Sequence, residues 1–329
     1  MIKQFFDKIR PNFEEGGKLH AFRSVFEGME TFMLVPNTTS KVGVSIHDAI
    51  DSKRIMSFVV IALIPALLFG MYNIGYQNAA AAGKLAETGF WSMFLYGFLL
   101  VLPKIVVSYV VGLGIEFAVA QWKKEEIQEG YLVSGILIPL IVPVNCPLWM
   151  LALAVAFSVI ICKEIFGGTG MNIFNPALIA RAFLFFSYPT SMSGDKVWVA
   201  GKEVFGLGYN LPDAATMATP LGEVGAGLQP TASLSDMIVG LIPGSIGETS
   251  VIAIAIGALI LLYTQIASIR TMTSVFVGGV LVAVLFNMAG MEGNAVANMP
   301  WYEHIVTGGF CFGAVFMATD PVTSSRTEK

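Results

Sequence analysis

Two threonine hydroxyls stand in a short polar stretch in the middle of a strongly apolar chain. The stretch reads Asp213-Ala214-Ala215-Thr216-Met217-Ala218-Thr219-Pro220-Leu221. A threonine hydroxyl can donate and accept hydrogen bonds, and it can carry a covalently attached group. An attached cofactor would itself supply the chemistry, so the threonine would be an anchor rather than a catalytic acid or base. A threonine-rich turn without a ligand explains the same residue types.

A second polar patch separates two apolar segments and reads Gly167-Gly168-Thr169-Gly170-Met171-Asn172-Ile173-Phe174-Asn175-Pro176. Its glycines allow the backbone to approach a planar ligand, and the amides of Asn172 and Asn175 offer paired donors and acceptors. No Gly-Lys-Ser/Thr sequence follows, so the patch is not a phosphate-binding loop of the nucleotide-binding type. A tight turn between two helices is the alternative interpretation.

A third stretch, Leu241-Ile242-Pro243-Gly244-Ser245-Ile246-Gly247-Glu248-Thr249-Ser250, is a glycine-rich turn at the start of an apolar segment. The N-terminus of a helix presents free N–H groups and the positive end of the helix dipole, which attract phosphate and other anions. The stretch therefore predicts a turn that opens the next helix and that can bind an anion. An ordinary Pro-Gly turn before a helix fits equally well.

Few ionisable residues fall inside the apolar segments, and such residues usually face a cavity or a partner. The carboxylates of Glu116 and Asp320 are candidates for a cation or proton path, because oxygen ligands suit hard cations. Lys104 and Arg181 fit either an internal ion pair or side chains that extend to the lipid headgroups.

The three cysteines, Cys146, Cys162 and Cys311, lie far apart without Cys-x-x-Cys spacing. They predict neither a zinc site nor a disulfide framework, and small apolar packing residues are the favoured interpretation. A thiolate ligand donated to a shared cluster is the minority interpretation. No residue is assigned a catalytic role or a role as metal ligand.

The composition indicates an integral membrane protein. Of 329 residues, 55% are hydrophobic and 13% are charged, and the mean hydropathy is +0.71. This leaves too little polar surface for a soluble globule. About eight apolar segments reach the length of a membrane-spanning helix, roughly 20 residues: 55–78, 90–120, 131–144, 147–166, 175–189, 236–265, 272–290 and 303–318. The segments 131–144 and 175–189 are short and suit broken or re-entrant helices, which often form binding sites.

The distribution of Lys and Arg predicts the orientation, because short cytoplasmic connections carry the excess of positive charge. Residues 1–54 contain eight Lys or Arg and predict a cytoplasmic N-terminal extension ahead of a transmembrane domain over residues 55–329. Alternate connections then place the long connection 190–235, with Thr219, on the extracytoplasmic side. The net charge of −4 gives no basic surface for nucleic acid.

The motifs of this chain resemble those of a known family. Asp213-x-x-Thr216-x-Ala218-Thr219 is similar to the D-x-x-S/T-G-A-T signature of flavin attachment, with Met217 in place of the glycine. The chain resembles the NqrB/RnfD family, which comprises membrane subunits of Na+-translocating NADH:quinone oxidoreductases and their relatives in Rnf complexes. The resemblance covers essentially the whole chain, including Gly-Gly-Lys-Leu-His at 16–20, the patch at 167–177, the turn at 243–249 and Met317-Ala318-Thr319-Asp320-Pro321-Val322. The N-terminal extension favours the Na+-pumping enzymes over the Rnf type.

The resemblance implies a fold and a set of cofactors. The family fold is an all-α bundle of ten helices with two inverted five-helix repeats, similar to urea transporters, and the two helices beyond the eight segments are expected to lie outside this sequence. A flavin transferase would esterify FMN to Thr219, near Asp213, Thr216, Ala218, Gly244, Ser245, Gly247, Glu248 and Thr249. A noncovalent riboflavin would lie at Asn172 and Asn175.

The resemblance also implies a redox relay in the bacterial inner membrane. Electrons from an NADH-oxidising subunit and a second FMN subunit would pass through FMN and riboflavin to a quinone near Gly112, while Na+ moves outward past Glu116 and Asp320. Three other functions stay open. An Rnf-type subunit would pass electrons between ferredoxin and NAD+, a solute channel or permease of the same fold would need no flavin, and a structural scaffold subunit would need neither flavin nor Glu116.

Overall fold

The computed structural model describes residues 52–123, 130–212, 217–291 and 293–325, residues 2–14, and positions 17, 19, 22, 23, 25, 26, 30 and 34. Within these residues the chain is helical or irregular, apart from one isolated antiparallel bridge between Val204 and Leu207. The all-α class is therefore confirmed for the described part of the chain. Helix α1 spans Ile2–Ile9. Most of the predicted cytoplasmic extension over residues 1–54 lies outside the described residues, so its boundary and its side of the membrane stay predictions.

Two long helices form the centre of the bundle, α2 (Ser52–Ala81) and α3 (Phe90–Lys123). Both are apolar around their whole circumference, which is typical of helices that are buried in protein and lipid. They pack closely because small residues lie at the crossing. A Cβ atom on Gly97 would stand 1.8 Å from the Met71 carbonyl oxygen. Helix α2 also contacts two later helices, so it links the two halves of the chain.

The middle of the chain contains shorter helices. These are α4 (Tyr131–Leu140), α5 (Leu148–Ser158, continued by a π-helical turn at Val159–Glu164) and α6 (Pro176–Ser187). At 1.5 Å per residue, α4 and α6 are roughly 15 and 18 Å long, which is well short of a bilayer core of about 30 Å. The expectation that 131–144 is a broken helix is confirmed, because Pro139 lies in its last turn and residues 141–144 continue as buried, non-helical chain.

The last third of the chain is more interrupted than its sequence indicates. The expected segment 236–265 is divided into α9 (Leu234–Val239) and α10 (Val251–Tyr263), because Gly240 ends α9 in a left-handed conformation and Pro243 follows. Helix α11 spans Ile269–Ala289. The expected segment 303–318 consists of α12 (Trp301–Val306), α13 (Phe310–Phe312) and a π-helical turn at Gly313–Met317. Two further short helices, α7 (Pro189–Met192) and α8 (Pro220–Gly225), lie in the long connection.

Within the described part of the chain, three helices, α2, α3 and α11, have the length and apolar composition to cross a membrane by themselves. The chain is a helical membrane protein. The number of about eight spans, the inverted repeats and the likeness to urea transporters stay predictions. In the core, α2 contacts α3, α4 and α10, and α3 and α6 enclose α4 and α5.

Buried side chains fasten the long connection 190–235 to the helices. Asn78, at the end of α2, is fully buried and donates to the carbonyl oxygens of Ala200 (2.7 Å) and Tyr209 (3.0 Å), and it accepts from the Tyr209 N–H (2.8 Å). The Tyr96 hydroxyl of α3 donates to the Lys202 carbonyl oxygen at 2.7 Å. These hydrogen bonds tie the described parts of the connection to the bundle.

Candidate functional site

Thr219 is the N-cap of helix α8. Its backbone is extended, its side chain is half-buried, and its Oγ1 accepts a hydrogen bond from the Gly222 N–H at 3.1 Å. Pro220 follows at the first helical position, where its missing N–H and fixed φ cost nothing. Asp213 and Thr216, which begin the predicted signature, fall outside the described residues. On the N-terminal side of Thr219, the Met217 N–H donates to the Asp195 carbonyl oxygen at 3.0 Å.

A cavity of about 240 Å³ lies beside Thr219. Four of the residues predicted to neighbour an attached FMN line it together with Thr219, namely Gly244, Ser245, Glu248 and Thr249. The fold thus joins two stretches that are separate in the sequence. Two other predicted neighbours, Ala218 and Gly247, do not line this cavity. Gly247 packs in the core, where a Cβ atom would stand 2.6 Å from Leu140 Cδ2.

Backbone hydrogen bonds hold the segment 240–250 against the broken end of α4. The Gly247 N–H donates to the Leu140 carbonyl oxygen at 2.7 Å, and the Ile246 N–H donates to the Val142 carbonyl oxygen at 3.3 Å. Two non-helical segments therefore satisfy each other's polar groups inside the bundle. Ser250 caps α10 by accepting from the Ala253 N–H at 3.2 Å, which confirms the predicted helix start.

An internal ion pair stands in the wall of the cavity. Arg181, in the middle of α6, donates through Nη1 to Oε1 of Glu248, and their side chains are 34% and 6% exposed. The ion-pair interpretation of Arg181 is confirmed. Lys104 differs from both of its interpretations, because it is buried and donates to the Cys146 carbonyl oxygen. All three cysteines are free and buried.

A second, much smaller cavity of about 20 Å³ is lined by Asn172, Asn175, Lys163 and Asp320, among others. The asparagine amides serve the local turn. Asn175 Oδ1 caps α6 by accepting from the Ala177 N–H at 2.9 Å, and Asn172 accepts from the Gly170 N–H at 3.2 Å and donates to the Phe174 carbonyl oxygen at 3.1 Å. A cavity of this size holds about one water molecule. The residues around it do not fit a tricyclic flavin in this conformation.

Of the two predicted ion-path carboxylates, Asp320 lines this second cavity, and Glu116 is paired with a lysine that lines it. Lys163, which lines it, donates to Glu116 Oε1, and both side chains are 4% exposed. Glu116 Oε2 is buried and has no hydrogen-bond partner within the described residues. Asp320 lines the cavity directly, and its Oδ2 accepts from the Thr323 N–H at 3.2 Å. Lys163 was not predicted as a site residue. The sequence feature that could have indicated this residue is a lysine at the end of an apolar segment, next to Glu164.

Gly112, the predicted neighbour of a quinone, has a packing role. The Tyr131 ring lies against it, and a Cβ atom there would stand 1.9 Å from the ring. The Tyr131 hydroxyl donates to the carbonyl oxygen of Ser108, which is on α3 like Gly112, at 3.0 Å. The structure therefore places Gly112 at the crossing of α3 and α4, and a quinone contact there stays a prediction.

Comparison with known proteins decides the family. The model of the NQR2, RnfD, RnfE family matches residues 39–329. The chain belongs to this family. Relatives named as a subunit of Na(+)-translocating NADH-quinone reductase are similar to nearly the whole chain. The relative from Chromohalobacter salexigens is 43% identical over 99% of this chain and 82% of its own length.

Two further relatives with the same name show the same extent of similarity. The Azotobacter vinelandii protein is 41% identical over 99% of this chain and 85% of its own length. The protein from Klebsiella pneumoniae strain 342 is 40% identical over 100% of this chain and 86% of its own length. The family predicted from the sequence motifs is confirmed, and so is the enzyme class, a subunit of an NADH–quinone reductase.

Proposed function

We propose that this chain is the membrane subunit of a Na+-pumping NADH:quinone oxidoreductase and carries FMN as a phosphoester on Thr219. The main support for the proposal is that Thr219 lines a cavity with Gly244, Ser245, Glu248 and Thr249. These are the residues that the family resemblance assigns to the FMN site. The names of the relatives, which match the chain over almost its whole length, support the same activity.

The residues around the Thr219 cavity fit an attached FMN. Its volume of about 240 Å³ is just below the range of roughly 300–1,000 Å³ of small-molecule sites. Phe185 and Trp198 supply apolar and aromatic surface, and Arg181 supplies hydrogen-bond donors. When bound, FMN would accept and pass on electrons.

The chain's own residues would hold and enclose this cofactor. Thr219 would tether it through Oγ1, and α8 would fix the backbone of the tether through the Gly222 N–H. The segment 240–250, anchored to α4 and to Asn73, would form the opposite wall. Such a tether would hold the flavin at a fixed distance from a neighbouring electron carrier. Electron transfer depends on that distance and needs no acid or base from the protein.

The remaining parts of the relay involve other regions of the chain. Na+ would move past Asp320, which lines the second cavity with Lys163, and past Glu116, the ion-pair partner of Lys163. The second cavity does not fit riboflavin, so we derive no step through riboflavin at Asn172 and Asn175. A quinone, a second FMN subunit, an NADH-oxidising subunit and a flavin transferase are the proposed partners. We place the chain in the bacterial inner membrane, with its N-terminus in the cytoplasm and residues 190–235 in the periplasm.

The test is mass spectrometry of the peptide that contains Thr219, taken from the chain produced together with its flavin transferase. We expect the peptide to carry the added mass of FMN and the denatured protein to fluoresce under ultraviolet light in a gel. Thr219→Ala should abolish both signals, whereas Thr216→Ala should keep them. A peptide of unmodified mass from an active complex would refute the attachment.

The family model also covers RnfD, so an Rnf-type subunit is the second candidate. Such a subunit would also carry a flavin, and attachment alone does not separate the two. Purified complex reconstituted with quinone does so. We expect Na+-stimulated reduction of quinone by NADH, and activity only between ferredoxin and NAD+ would favour the Rnf type.

A further inference from the structure

Arg181 is the one Lys or Arg among the described residues that line the Thr219 cavity. A guanidinium has five N–H donors and cannot lose its proton in a protein. The bond to Glu248 is made through Nη1 alone, and about a third of the side chain remains exposed. Arg181 therefore presents positive charge and unused donors to the cavity, where they can meet an anionic group.

The guanidinium is held in place from behind. The Glu248 carboxylate is buried and lies directly against the backbone of Gly309, since a Cβ atom on that glycine would stand 2.7 Å from Glu248 Oε1. The segment that carries Glu248 is itself bonded to the end of α4 through Gly247. A buried charge needs such a fixed partner, because removing a charge from water is costly unless it is paired. Glu248 thus fixes Arg181 and leaves the outer face of its guanidinium to the cavity.

Arg181 and Thr219 both line the cavity, but they belong to different segments of the chain. Thr219 lies in the long connection beyond the end of α6, whereas Arg181 is in the middle of α6, roughly 9 Å from the end at Ser187 at 1.5 Å per residue. Phe185 lines the cavity one helical turn further along. A cofactor esterified to Thr219 would extend from its phosphate along the cavity, so its ring, at the other end of the cofactor, can lie beside the guanidinium of Arg181, which lines the same cavity.

We propose that Arg181, oriented by Glu248, binds the polar edge of the FMN ring and stabilises its reduced, negatively charged form. The inference rests on the proposed attachment of FMN to Thr219. Uptake of two electrons from the proposed NADH-oxidising subunit and of one proton would leave one negative charge on the ring. Protein charges near the ring nitrogens tune the potential of a flavin. Arg181 supplies such a charge without transferring a proton, because its guanidinium stays protonated.

Removing Arg181 alone would leave the buried Glu248 carboxylate unpaired, so the test compares two variants that both lack that carboxylate. One is Glu248→Gln, and the other combines Glu248→Gln with Arg181→Gln. Both are produced as the full chain with the flavin transferase, and the midpoint potential of the attached flavin is measured by spectroelectrochemical titration. Flavin fluorescence of the denatured chain reports how much flavin is attached in each variant.

We expect Glu248→Gln to raise the potential relative to the unaltered chain, because the guanidinium charge is no longer balanced. The double variant should lie below Glu248→Gln by at least a tenfold loss of preference for the reduced form, about 30 mV for a two-electron couple. Arg181→Lys keeps the charge but loses the planar fork that binds the ring edge. Its potential should therefore lie measurably below that of the unaltered chain, by less than the difference between Glu248→Gln and the double variant.

Equal potentials in Glu248→Gln and the double variant, or an unchanged potential in Arg181→Lys where the double variant carries no flavin, would overturn the role of Arg181. An unaltered chain without covalent flavin would instead refute the proposed function. The two failures are thus distinguishable.

Discussion

Glu116 and Lys163 form a buried ion pair between α3 and the π-helical turn that ends α5, and the turn places Lys163 against the second cavity. The second carboxylate oxygen of Glu116 has no hydrogen-bond partner within the described residues. Because π-helical turns inside α-helices often occur at functional sites, we take this pair as the best-defined element of the proposed ion path.

Glu116→Gln is expected to weaken the Na+ stimulation of quinone reduction while leaving the attached flavin unchanged. It should also destabilise the protein by about 3–5 kcal/mol, because Lys163 stays buried without a counter-charge. The double variant Glu116→Gln with Lys163→Met should recover most of the stability but not the Na+ stimulation. The measurements are quinone reduction against Na+ concentration and thermal unfolding in detergent. Unchanged Na+ stimulation in Glu116→Gln would remove the residue from the path.

Thr219 has two roles that a pair of substitutions can separate. Asn is as good an N-cap as Thr but has no hydroxyl, so Thr219→Asn should keep α8 within about 0.5 kcal/mol and lose all attached flavin. Thr219→Ser keeps both the cap and the hydroxyl, and it should retain flavin. In-gel fluorescence and thermal unfolding are measured on the same samples. Fluorescence in Thr219→Asn would show that another residue carries the flavin.

Gly112→Ala should destabilise the bundle by about 1–3 kcal/mol, because its Cβ would overlap the Tyr131 ring and force α3 and α4 apart. Gly114→Ala is the matched control, since a Cβ at that position of the same helix meets nothing within 4 Å. It should be neutral or stabilising by up to about 1 kcal/mol. Unfolding temperatures of the two variants in detergent give the comparison, and equal values would contradict the close packing at Gly112.

Asn78→Ala should loosen the long connection, because it removes three hydrogen bonds to the backbone of residues 200 and 209. The backbone of the buried Ala200 and the partly buried Tyr209 then loses its partner, at up to about 1–3 kcal/mol for each group. Limited proteolysis of the purified protein should then cut the chain between residues 195 and 212 more quickly. Asn298→Ala is the control, because Asn298 also bonds a backbone carbonyl, that of Met291, but is exposed. Equal cleavage rates would mean that Asn78 does not hold the connection.

The sequence predicted the local features of the fold better than the contacts between distant residues. The shortness of the segment 131–144 indicated a broken helix, and the glycine-rich turn at 241–250 was predicted to open the next helix, which is α10. Both are properties of neighbouring residues. The break within 303–318 was not predicted, because Gly308 and Gly309 are two residues in an otherwise apolar run and apolar composition alone does not distinguish one helix from two short ones.

The candidate site shows the same division. The motifs placed Thr219 and the segment 244–249 together through the family resemblance, and the fold does bring Gly244, Ser245, Glu248 and Thr249 to one cavity with Thr219. The partners of Glu116 and Arg181 could not be predicted, because Lys163 and Glu248 are 47 and 67 positions away and only tertiary packing selects them. Gly247 and Gly112 were assigned to ligands, whereas their surroundings are filled by Leu140 and Tyr131.

The hydrogen bonds from Ile246 and Gly247 to the end of α4 have a consequence for biosynthesis. During translation into the membrane, α4 emerges long before these two residues do, and until then the carbonyl oxygens of Leu140 and Val142 must be satisfied by other groups. The end of α4 therefore acquires its native partners only after the second half of the chain has been inserted. A chain that stops before residue 246 lacks both N–H donors. The end of α4 therefore reaches its native hydrogen bonding only when translation continues past Gly247.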